Sequence, residues 1–384
     1  MAKTFDICIR GAGIVGRALA LQLASKRLRV ALVASAPGLT PGGSQSDVRA
    51  YALNQRSRQL LEGMRCWPDA LHATAVVGMQ VQGDGDGLVR FESAAQGTPA
   101  LNWIVDVPAL EKLLSEAVSF QPLIEVFETP QKATLTVVCE GKASSTRAEF
   151  GAEFDAAPYG QSALATRVTC SQPHGQIARQ WFDAGEILAF LPLGGPEGTQ
   201  CAVVWSVPPE RAAALQSETE EAFCQELLTA SHAALGGLTL TSPRVVWPLQ
   251  HAQARRWSGV HAQGAWVLAG DAAHNVHPLA GQGLNLGLAD ADALARLLDT
   301  KPFWRSVADP RVLRQYERER KADFALVGGS GDALQRLFTH SNPAIRALRN
   351  WGMQRFERSG PLKQWVADRA MGTTVAPINP APRP

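Results

Sequence analysis

The chain has 384 residues, of which 46% are apolar and 19% charged, with a formal net charge of +2. This composition argues against disorder, and the near balance of charge gives no indication of nucleic-acid binding. The six cysteines are scattered without a CxxC pair, which argues against a zinc site or a disulfide framework and fits a reducing cytoplasm. Because no apolar run reaches the ~18 residues of a membrane span, we expect no transmembrane segment, and the N-terminus lacks the pattern of a secretory signal.

We predict a strand, a helix and a second strand within residues 5–34, with the turn GAGIVG after the first strand. In this context Gly11 allows a tight turn, Gly13 lets a pyrophosphate approach the backbone, and Gly16 allows the helix to pack closely. The motif predicts dinucleotide binding; a purely structural glycine turn is the alternative. An acid that binds the adenosine ribose is expected at the end of the second strand, where this chain has Ala34.

The middle of the chain is predicted to form a second architectural unit. Residues 76–92 fit a hairpin, and four strands in succession within residues 162–206 predict an antiparallel sheet inserted into the first unit. Before them, Arg49 would either reach a phosphate or form a salt bridge with Asp47. Helices are predicted at residues 54–63, 108–118, 218–230, 310–324, 331–338 and 343–358.

The most informative stretch is AWVLAGDAAHNVHPLAGQGLNLGLAD at residues 265–290. It predicts a short buried strand, an abrupt turn at Gly270 and Asp271, and a glycine-led helix that runs through Leu294. Free N–H groups at a glycine-rich helix start favour an anion. We therefore predict a cradle for a large, partly anionic ligand, with Asp271 accepting hydrogen bonds from hydroxyl groups. The alternative is a strand, turn and helix that merely pack, with Asp271 as the helix cap.

Three stretches carry a resemblance that covers nearly the whole chain: GAGIVG at 11–16, DVRAYALNQRS at 47–57, and GDAAHNVHPLAGQGLNLGLAD at 270–290. They resemble the flavin-dependent aromatic hydroxylases of ubiquinone biosynthesis. The resemblance implies an α/β fold of the glutathione reductase and p-hydroxybenzoate hydroxylase type, in which a Rossmann-like FAD-binding domain carries an inserted antiparallel β-sheet substrate domain and C-terminal helices. The expected boundaries are 1–75, 101–158 and 262–330 for the FAD-binding domain, 76–100 and 159–261 for the substrate domain, and 331–384 for the C-terminal helices and tail.

The resemblance also implies which residues hold the cofactor. Asp271 would contact the ribityl chain of FAD, and the helix start would lie against the flavin ring. Flavin-facing candidates, with no catalytic role assigned, are Pro278, His277, Gly281 and Gln282. No metal is expected, because His274 and His277 lack a third ligand. The full set of predicted cofactor-binding residues is Gly11, Gly13, Gly16, Arg49, Asp271, Pro278, Gly281, Gln282, Gly283, Leu284 and Asn285.

Family members also carry a DGxxSxxR motif near the flavin that is linked to reductant binding. The matching run here is EGKASSTR, with Glu140, Gly141, Ser144 and Arg147. Glutamate in place of aspartate shifts the charge by about 1 Å, enough to disturb a preorganised site. A polar or basic residue is also common where Pro108 stands, so Ala34, Pro108 and Glu140 are three departures from the pattern on the cofactor side.

The implied activity is an FAD-dependent monooxygenase that hydroxylates a polyprenylated phenol on the route to ubiquinone through a C4a-hydroperoxyflavin, with O2 as oxidant and NAD(P)H or another donor as reductant. Two alternatives stay open. One is a diverged subunit with a weakened flavin site in a biosynthetic assembly. The other is a different flavin oxidoreductase of the same fold, such as a prenyl reductase or a halogenase, although the WxWxIP motif of halogenases is absent.

The sequence carries fewer signals for the substrate and for the location of the protein. Phe190, Leu191, Trp205 and Trp247 would line an apolar channel for the prenyl group or belong to the core. The resemblance implies a cytoplasmic protein that contacts other ubiquinone biosynthesis proteins, peripheral to the inner membrane. The basic helix predicted at 343–358 would lie on a membrane or a partner, or dock on its own domain.

Overall fold

The computed structural model describes residues 4–34, 47–83, 85, 87–261, 264–276 and 281–339, with side chains as far as residue 326, and residues 352, 353, 355–357, 359, 360 and 363. Strands and helices are numbered in chain order. Among the helices of these residues, none combines the length and the apolar character that crossing a membrane requires.

The first sheet carries the GAGIVG motif. Its six strands are β1 (Phe5–Arg10), β2 (Val30–Val33), β8 (Ile124–Phe127), β9 (Ala133–Val138), β16 (Ser258–His261) and β17 (Gly264–Leu268). In space they follow the order β16, β17, β9, β1, β2, β8, and all neighbours are parallel except β16 and β17. Because the carboxyl ends of parallel strands meet at one edge, the turns after β1, β9 and β17 lie close together.

Helices complete the structure around the sheets. They are α1 (Ile14–Ser25), α2 (Gln55–Gly63), α3 (Val107–Ser119), α4 (Thr146–Glu149), α5 (Pro209–Ser217), α6 (Glu220–Ala230), α7 (Gln282–Thr300) and α8 (Pro310–Thr339). The main core lies between the first sheet and helices α1, α3 and α7, where Ile7, Leu19, Leu110 and Leu294 are completely buried. Apolar residues at helical spacing on α1 and α3 explain why these segments form helices that face the sheet.

The second sheet is the antiparallel sheet that the succession of strands predicted. Its members are β5 (Gly78–Gln82), β6 (Leu88–Glu92), β10 (Phe154–Cys170), β11 (Ile177–Asp183), β12 (Glu186–Pro192), β13 (Gln200–Val207), β14 (Leu238–Leu240), β15 (Val245–Ala254) and β18 (His274–Asn275). All pairs are antiparallel except β5 with β11. The predicted hairpin at 76–92 is β5 and β6. Strand β18 belongs to the predicted cradle and pairs with β15, so the cradle is joined directly to this sheet.

A small third sheet links the two larger ones. It consists of β3 (Ala50–Leu53), β4 (Ala73–Val76) and β7 (Asn102–Asp106), with β7 in the centre and both pairs antiparallel. Arg167 of β10 reaches across to this sheet, where its Nη2 donates to a carboxylate oxygen of Asp106 at 2.5 Å. The exact division into domains stays a prediction.

Three predicted helices differ from the structure. The helix predicted at 218–230 begins at Glu220, because the side chain of Thr219 accepts a hydrogen bond from the backbone N–H of Ala222 at 3.2 Å and caps it. The preceding helix α5 was not predicted, although the proline at its first position is a helix-start signal. The helices predicted at 310–324 and 331–338 are one continuous helix, α8. The glycines between them cost only about 1 kcal/mol each in a helix, and no proline interrupts the backbone.

The C-terminal residues that the structure describes pack on the second sheet. Met353 is buried against Val89, Phe182 and Ile187, and the carboxylate of Glu357 accepts a hydrogen bond from the backbone N–H of Arg90 at 2.9 Å. These residues therefore dock on their own chain, which is one of the alternatives predicted for the basic helix. Most of the predicted helix at 343–358 lies outside the described residues.

Candidate functional site

The glycine turn after β1 combines two packing glycines with one open position. Gly11 has a φ of +111°, and a Cβ there would lie 2.4 Å from the carbonyl oxygen of Cys139. A Cβ on Gly16 would lie 1.9 Å from the carbonyl oxygen of Gly11. At Gly13, in contrast, no described heavy atom approaches a Cβ within 4 Å. The turn is therefore closed against the protein and open on the side where a pyrophosphate would approach.

Asp271 follows β17 in a short 3₁₀ turn and is half-buried. Its backbone carbonyl accepts a hydrogen bond from Nδ2 of Asn275 at 2.9 Å. Its carboxylate has no hydrogen-bond donor among the residues that the structure describes. Burial raises the pKa of Asp271, and the positive charges of Lys142, His274 and Arg49 oppose that rise. A partly buried acceptor without a protein donor fits the hydroxyl groups of a ligand.

Asp271 is not the cap of helix α7, which was the alternative interpretation. The residue that caps α7 is Gly281, with a φ of +60° and no side-chain hydrogen bond to the first turn. A Cβ on Gly281 would lie 2.9 Å from Cβ of Ala52, whereas Gly283 faces open space among the described residues. Since no described side chain caps this helix start, its N–H groups are available, within the described part of the chain, to an anion or a carbonyl oxygen.

Asn285 positions the helix start. Its Oδ1 accepts hydrogen bonds from the backbone N–H of Asn54 at 3.0 Å and from Oγ of Ser57 at 2.7 Å. Its Nδ2 donates to the carbonyl oxygens of Ala52 at 2.8 Å and Gly281 at 3.2 Å. Because the side chain uses its whole hydrogen-bonding capacity within the protein, it holds the helix start in position, and contact of Asn285 with the cofactor stays a prediction.

The EGKASSTR run lies beside the glycine turn, and its glutamate is held from several directions. Glu140 accepts hydrogen bonds from Oγ of Ser144 at 2.7 Å and Oγ1 of Thr146 at 2.6 Å. Nε of Arg10, the last residue of β1, donates to Glu140 at 3.1 Å, and Nη1 of Arg10 donates to Glu149 at 2.6 Å. The longer glutamate side chain is therefore matched by an arginine that sequence reasoning did not connect with it.

Arg147 links this run to the turn that contains Asp271. Its Nη1 donates to the carbonyl oxygen of Ala272 at 3.2 Å, and its Nη2 donates to the carbonyl oxygen of Lys142 at 2.5 Å. The guanidinium also lies 3.8 Å from the ring centroid of Phe154. The structure thus brings the predicted motif into contact with the cradle and buries its arginine.

A buried charge network lies under the cradle. Asp290 of α7 is 0% exposed and accepts hydrogen bonds from the backbone N–H of Gly270 at 2.8 Å, Nε2 of His274 at 2.7 Å and Nε of Arg320 at 2.6 Å. Arg320 of α8 is itself only 2% exposed. Because Gly270 directly precedes Asp271, this network fixes the turn that presents the acid. Sequence reasoning missed it, although an acid on the apolar face of α7 was a usable signal.

The remaining predicted site residues are Arg49, Gln282, Leu284, His277 and Pro278. The guanidinium of Arg49 pairs with Asp47, with Nε and Oδ1 2.9 Å apart, which is the salt-bridge alternative, while its charge still acts on Asp271. Tyr51, which was not predicted, lies close enough for the same electrostatic contact. Gln282 and Leu284 are half-buried in the first turn of α7. The candidates His277 and Pro278 lie outside the described residues.

Ala34 directly follows β2 beside the glycine turn, since the backbone N–H of Gly11 donates to the carbonyl oxygen of Val33 at 3.0 Å. The replacement Ala34→Glu should restore a ribose contact and tighten FAD binding by roughly 1 to 2 kcal/mol, about 5- to 30-fold in Kd. Titration of the apoprotein with FAD measures this. Ala34→Gln, equally long but uncharged, is the control. If neither variant gains affinity, another residue already replaces the missing acid.

The two faces of the second sheet separate the four apolar candidates for a substrate channel. Phe190 and Trp205 are each 1% exposed and pack under α5 and α6, so they belong to the core and not to a channel. Leu191 points to the opposite face, towards the third sheet. Trp247 is half-buried and stands opposite Ala163 in the β10–β15 pair, hence on the face away from that core.

Comparison with known proteins agrees with this geometry. A family model described as an FAD binding domain matches residues 127–327. The chain is 30% identical to the 3-demethoxyubiquinol 3-hydroxylase of Escherichia coli, over 96% of this chain and 98% of that protein. It is 27% identical to the ubiquinone hydroxylase UbiL of Rhodospirillum rubrum, over 97% and 90% of the two chains.

A solved structure shares the fold. The structure of PqsL, a probable FAD-dependent monooxygenase from Pseudomonas aeruginosa, matches 91% of this chain and 100% of that chain with a TM-score of 0.74 and 22% identity. The predicted p-hydroxybenzoate hydroxylase type of fold is confirmed. The glycine turn, the Asp271 carboxylate without a described donor and these relatives lead to one conclusion: the chain belongs to the FAD-binding-domain family of flavin-dependent hydroxylases and is an FAD-dependent monooxygenase.

Proposed function

We propose that this enzyme hydroxylates a prenylated phenol precursor of ubiquinone, using FAD, O2 and NAD(P)H. The observation that carries the proposal is the half-buried Asp271 carboxylate without a described donor, between an open glycine turn and an uncapped helix start. The named activities of the relatives, above all 3-demethoxyubiquinol 3-hydroxylation, supply the class of substrate. NAD(P)H as reductant, a cytoplasmic location and contact with other ubiquinone biosynthesis proteins are parts of this proposal.

The residues present fit FAD. The backbone from Gly11 to Gly16 would hold the pyrophosphate, Asp271 the ribityl hydroxyl groups, and the N–H groups of Gly281 to Leu284 the flavin ring edge that becomes negative on reduction. When bound, the flavin supplies the transfer of one oxygen atom from O2 to an electron-rich ring. The protein contributes binding, orientation and the exclusion of water, and the network of Asp290 holds the turn of Asp271 rigid.

Trp247 and Phe190 allow a residue-level test of the substrate face. Trp247→Ala should raise the KM for a prenylated phenol about tenfold or more, because an apolar contact of roughly 1.5 to 3 kcal/mol is lost, with little change in stability. Phe190→Ala should instead lower the free energy of unfolding by about 3 to 5 kcal/mol, because it leaves a cavity in the core. Steady-state kinetics and urea denaturation separate the two effects. An unchanged KM in Trp247→Ala would remove this residue from the substrate face.

The function itself is tested by the visible spectrum and by product analysis. Purified protein should show the absorbance of bound FAD, oxidise NADH or NADPH when a prenylated phenol is added, and release a product heavier by one oxygen atom. A protein that takes up no FAD would support the non-catalytic subunit, with Ala34, Pro108 and Glu140 as the cause. A flavoprotein that yields a reduced or halogenated product would support another oxidoreductase of this fold.

A further inference from the structure

Phe303 and Trp304 form an exposed aromatic pair between α7 and α8. Phe303 is 91% exposed and Trp304 is 73% exposed, and their ring centroids lie 5.1 Å apart with the rings edge to face. The seven other tryptophans among the described residues are buried or half-buried. Single exposed apolar side chains are ordinary on a protein surface. Two adjacent projecting aromatic rings indicate a surface that contacts something apolar.

The turn that carries the pair is internally fixed. The backbone N–H of Arg305 donates to the carbonyl oxygen of Pro302 at 2.9 Å, and the N–H of Asp309 donates to the carbonyl oxygen of Ser306 at 3.1 Å. The guanidinium of Arg305 also pairs with the Asp309 carboxylate at 3.2 Å. The two rings are therefore presented by an ordered turn, which lowers the entropic cost of binding.

A cationic cavity of about 220 Å³ borders the same turn. Its walls hold four cations and no acid, and the cations are Arg296, Lys301, Arg305 and Arg311. Glu319 pairs with Arg296, and Asp309 pairs with Arg305. No described acid lies within ion-pair distance of Lys301 or Arg311. Lys301 and Arg311 thus form no ion pair in the described part of the chain, although the charge of Asp309 also acts on Arg311.

This surface is separate from the candidate active site. Helix α7 begins at the cradle and has 19 residues, which gives a length of about 28 Å. Its far end lies at the amino edge of the first sheet, where Asp299 pairs with Lys26 at the end of α1, 2.9 Å apart. The exposure of Phe303 and Trp304 is therefore not explained by a role in the candidate active site.

We propose that Phe303 and Trp304, with the cations Arg296, Lys301, Arg305 and Arg311, bind the surface of an anionic lipid bilayer. The amphipathic Trp304 ring enters the headgroup region, the apolar Phe303 ring reaches its boundary with the acyl chains, and the cavity holds a lipid phosphate. A protein partner is less well matched, because two exposed side chains beside a group of cations offer far less than the ~800 Å² per partner of a stable interface.

The test is co-sedimentation of the FAD-loaded protein with vesicles of phosphatidylcholine alone and with vesicles that also contain phosphatidylglycerol. The wild-type protein should bind the anionic vesicles more tightly, and added salt should weaken binding. Phe303→Ser combined with Trp304→Ser should weaken binding about tenfold or more. Lys301→Glu combined with Arg311→Glu should weaken binding at least fivefold per reversed charge. The control is Leu71→Ser, which removes an apolar side chain that is 56% exposed elsewhere on the surface.

Four results would overturn the proposal. One is a wild-type protein that binds neither kind of vesicle. Another is unchanged vesicle binding in the aromatic variant, with FAD content and unfolding temperature showing that it is folded. The third is binding of inorganic phosphate to the cavity by a protein that does not bind vesicles, which would make the cavity a site for free phosphate. The fourth is a wild-type protein that does not bind vesicles and forms a larger oligomer than the aromatic variant. The aromatic pair would then be a contact between copies of the chain, and the lipid proposal would be wrong. Vesicle binding requires no turnover, so this test is independent of the proposed reaction.

Discussion

Purified Asp271→Ala should contain much less FAD than the wild-type protein. The substitution removes the half-buried carboxylate that has no described donor of its own and leaves ligand hydroxyl groups without their acceptor. Hydrogen bonds to a charged group contribute about 1.5 to 3 kcal/mol, so the Kd for FAD should rise roughly 10- to 150-fold. Titration of the apoprotein, followed by flavin fluorescence, gives this value directly.

Two control variants show whether the effect belongs to this carboxylate. Asp271→Asn keeps the size and one acceptor oxygen, so its FAD affinity should lie between those of the wild type and Asp271→Ala. Asp292→Ala removes an acid from α7 that pairs with Arg56 at the surface, with 2.8 Å between their atoms, and should leave the affinity unchanged. Equal FAD content in wild type and Asp271→Ala would refute the assignment of residues 265–290 as the cofactor cradle.

Asp290→Asn should lower the free energy of unfolding by up to about 3 to 5 kcal/mol, because it removes the buried partner of Arg320 and leaves, among the described residues, only the half-exposed Asp323 to pair with its guanidinium. Urea denaturation followed by circular dichroism measures the change. Glu319→Gln breaks the exposed ion pair with Arg296 and should cost less than about 1 kcal/mol. A loss below 1 kcal/mol in Asp290→Asn would show that the network does not stabilise the turn before Asp271.

The same network predicts a dependence of stability on pH. Burial alone raises the pKa of Asp290, but the charges and hydrogen bonds of His274 and Arg320 outweigh it, so the pKa lies below its ordinary range. The folded-state pKa is thus below the unfolded-state value of about 4. The stabilisation is fully present above pH 4 and is lost as the pH falls towards the folded-state pKa. Unfolding measured across this acidic range should show a shallower pH dependence in Asp290→Asn.

The sequence by itself determined the elements whose signals are local. The strand and helix around GAGIVG were predicted to within one residue. The helix after Gly281 and the antiparallel sheet were also predicted, but α7 continues beyond Leu294 to Thr300, and β10 begins at Phe154, before the predicted Ser162. Glycines that must adopt a tight turn or a positive φ, and apolar residues at a fixed period, record the local backbone directly in the sequence. The same signals predicted the position of Asp271 at the end of a strand.

Only the tertiary structure decided which side chains meet. Arg10 and Glu140 lie 130 positions apart in the sequence, and Asn285 and Ala52 lie 233 apart, so no local pattern announces either contact. The face of the sheet on which Phe190 or Trp247 lies also depends on what packs against it. The buried partners of Asp290 and the exposure of Phe303 and Trp304 follow from the packing of α7 and α8. Hydrogen bonds and burial depend on proximity in space, which the chain acquires only when it folds.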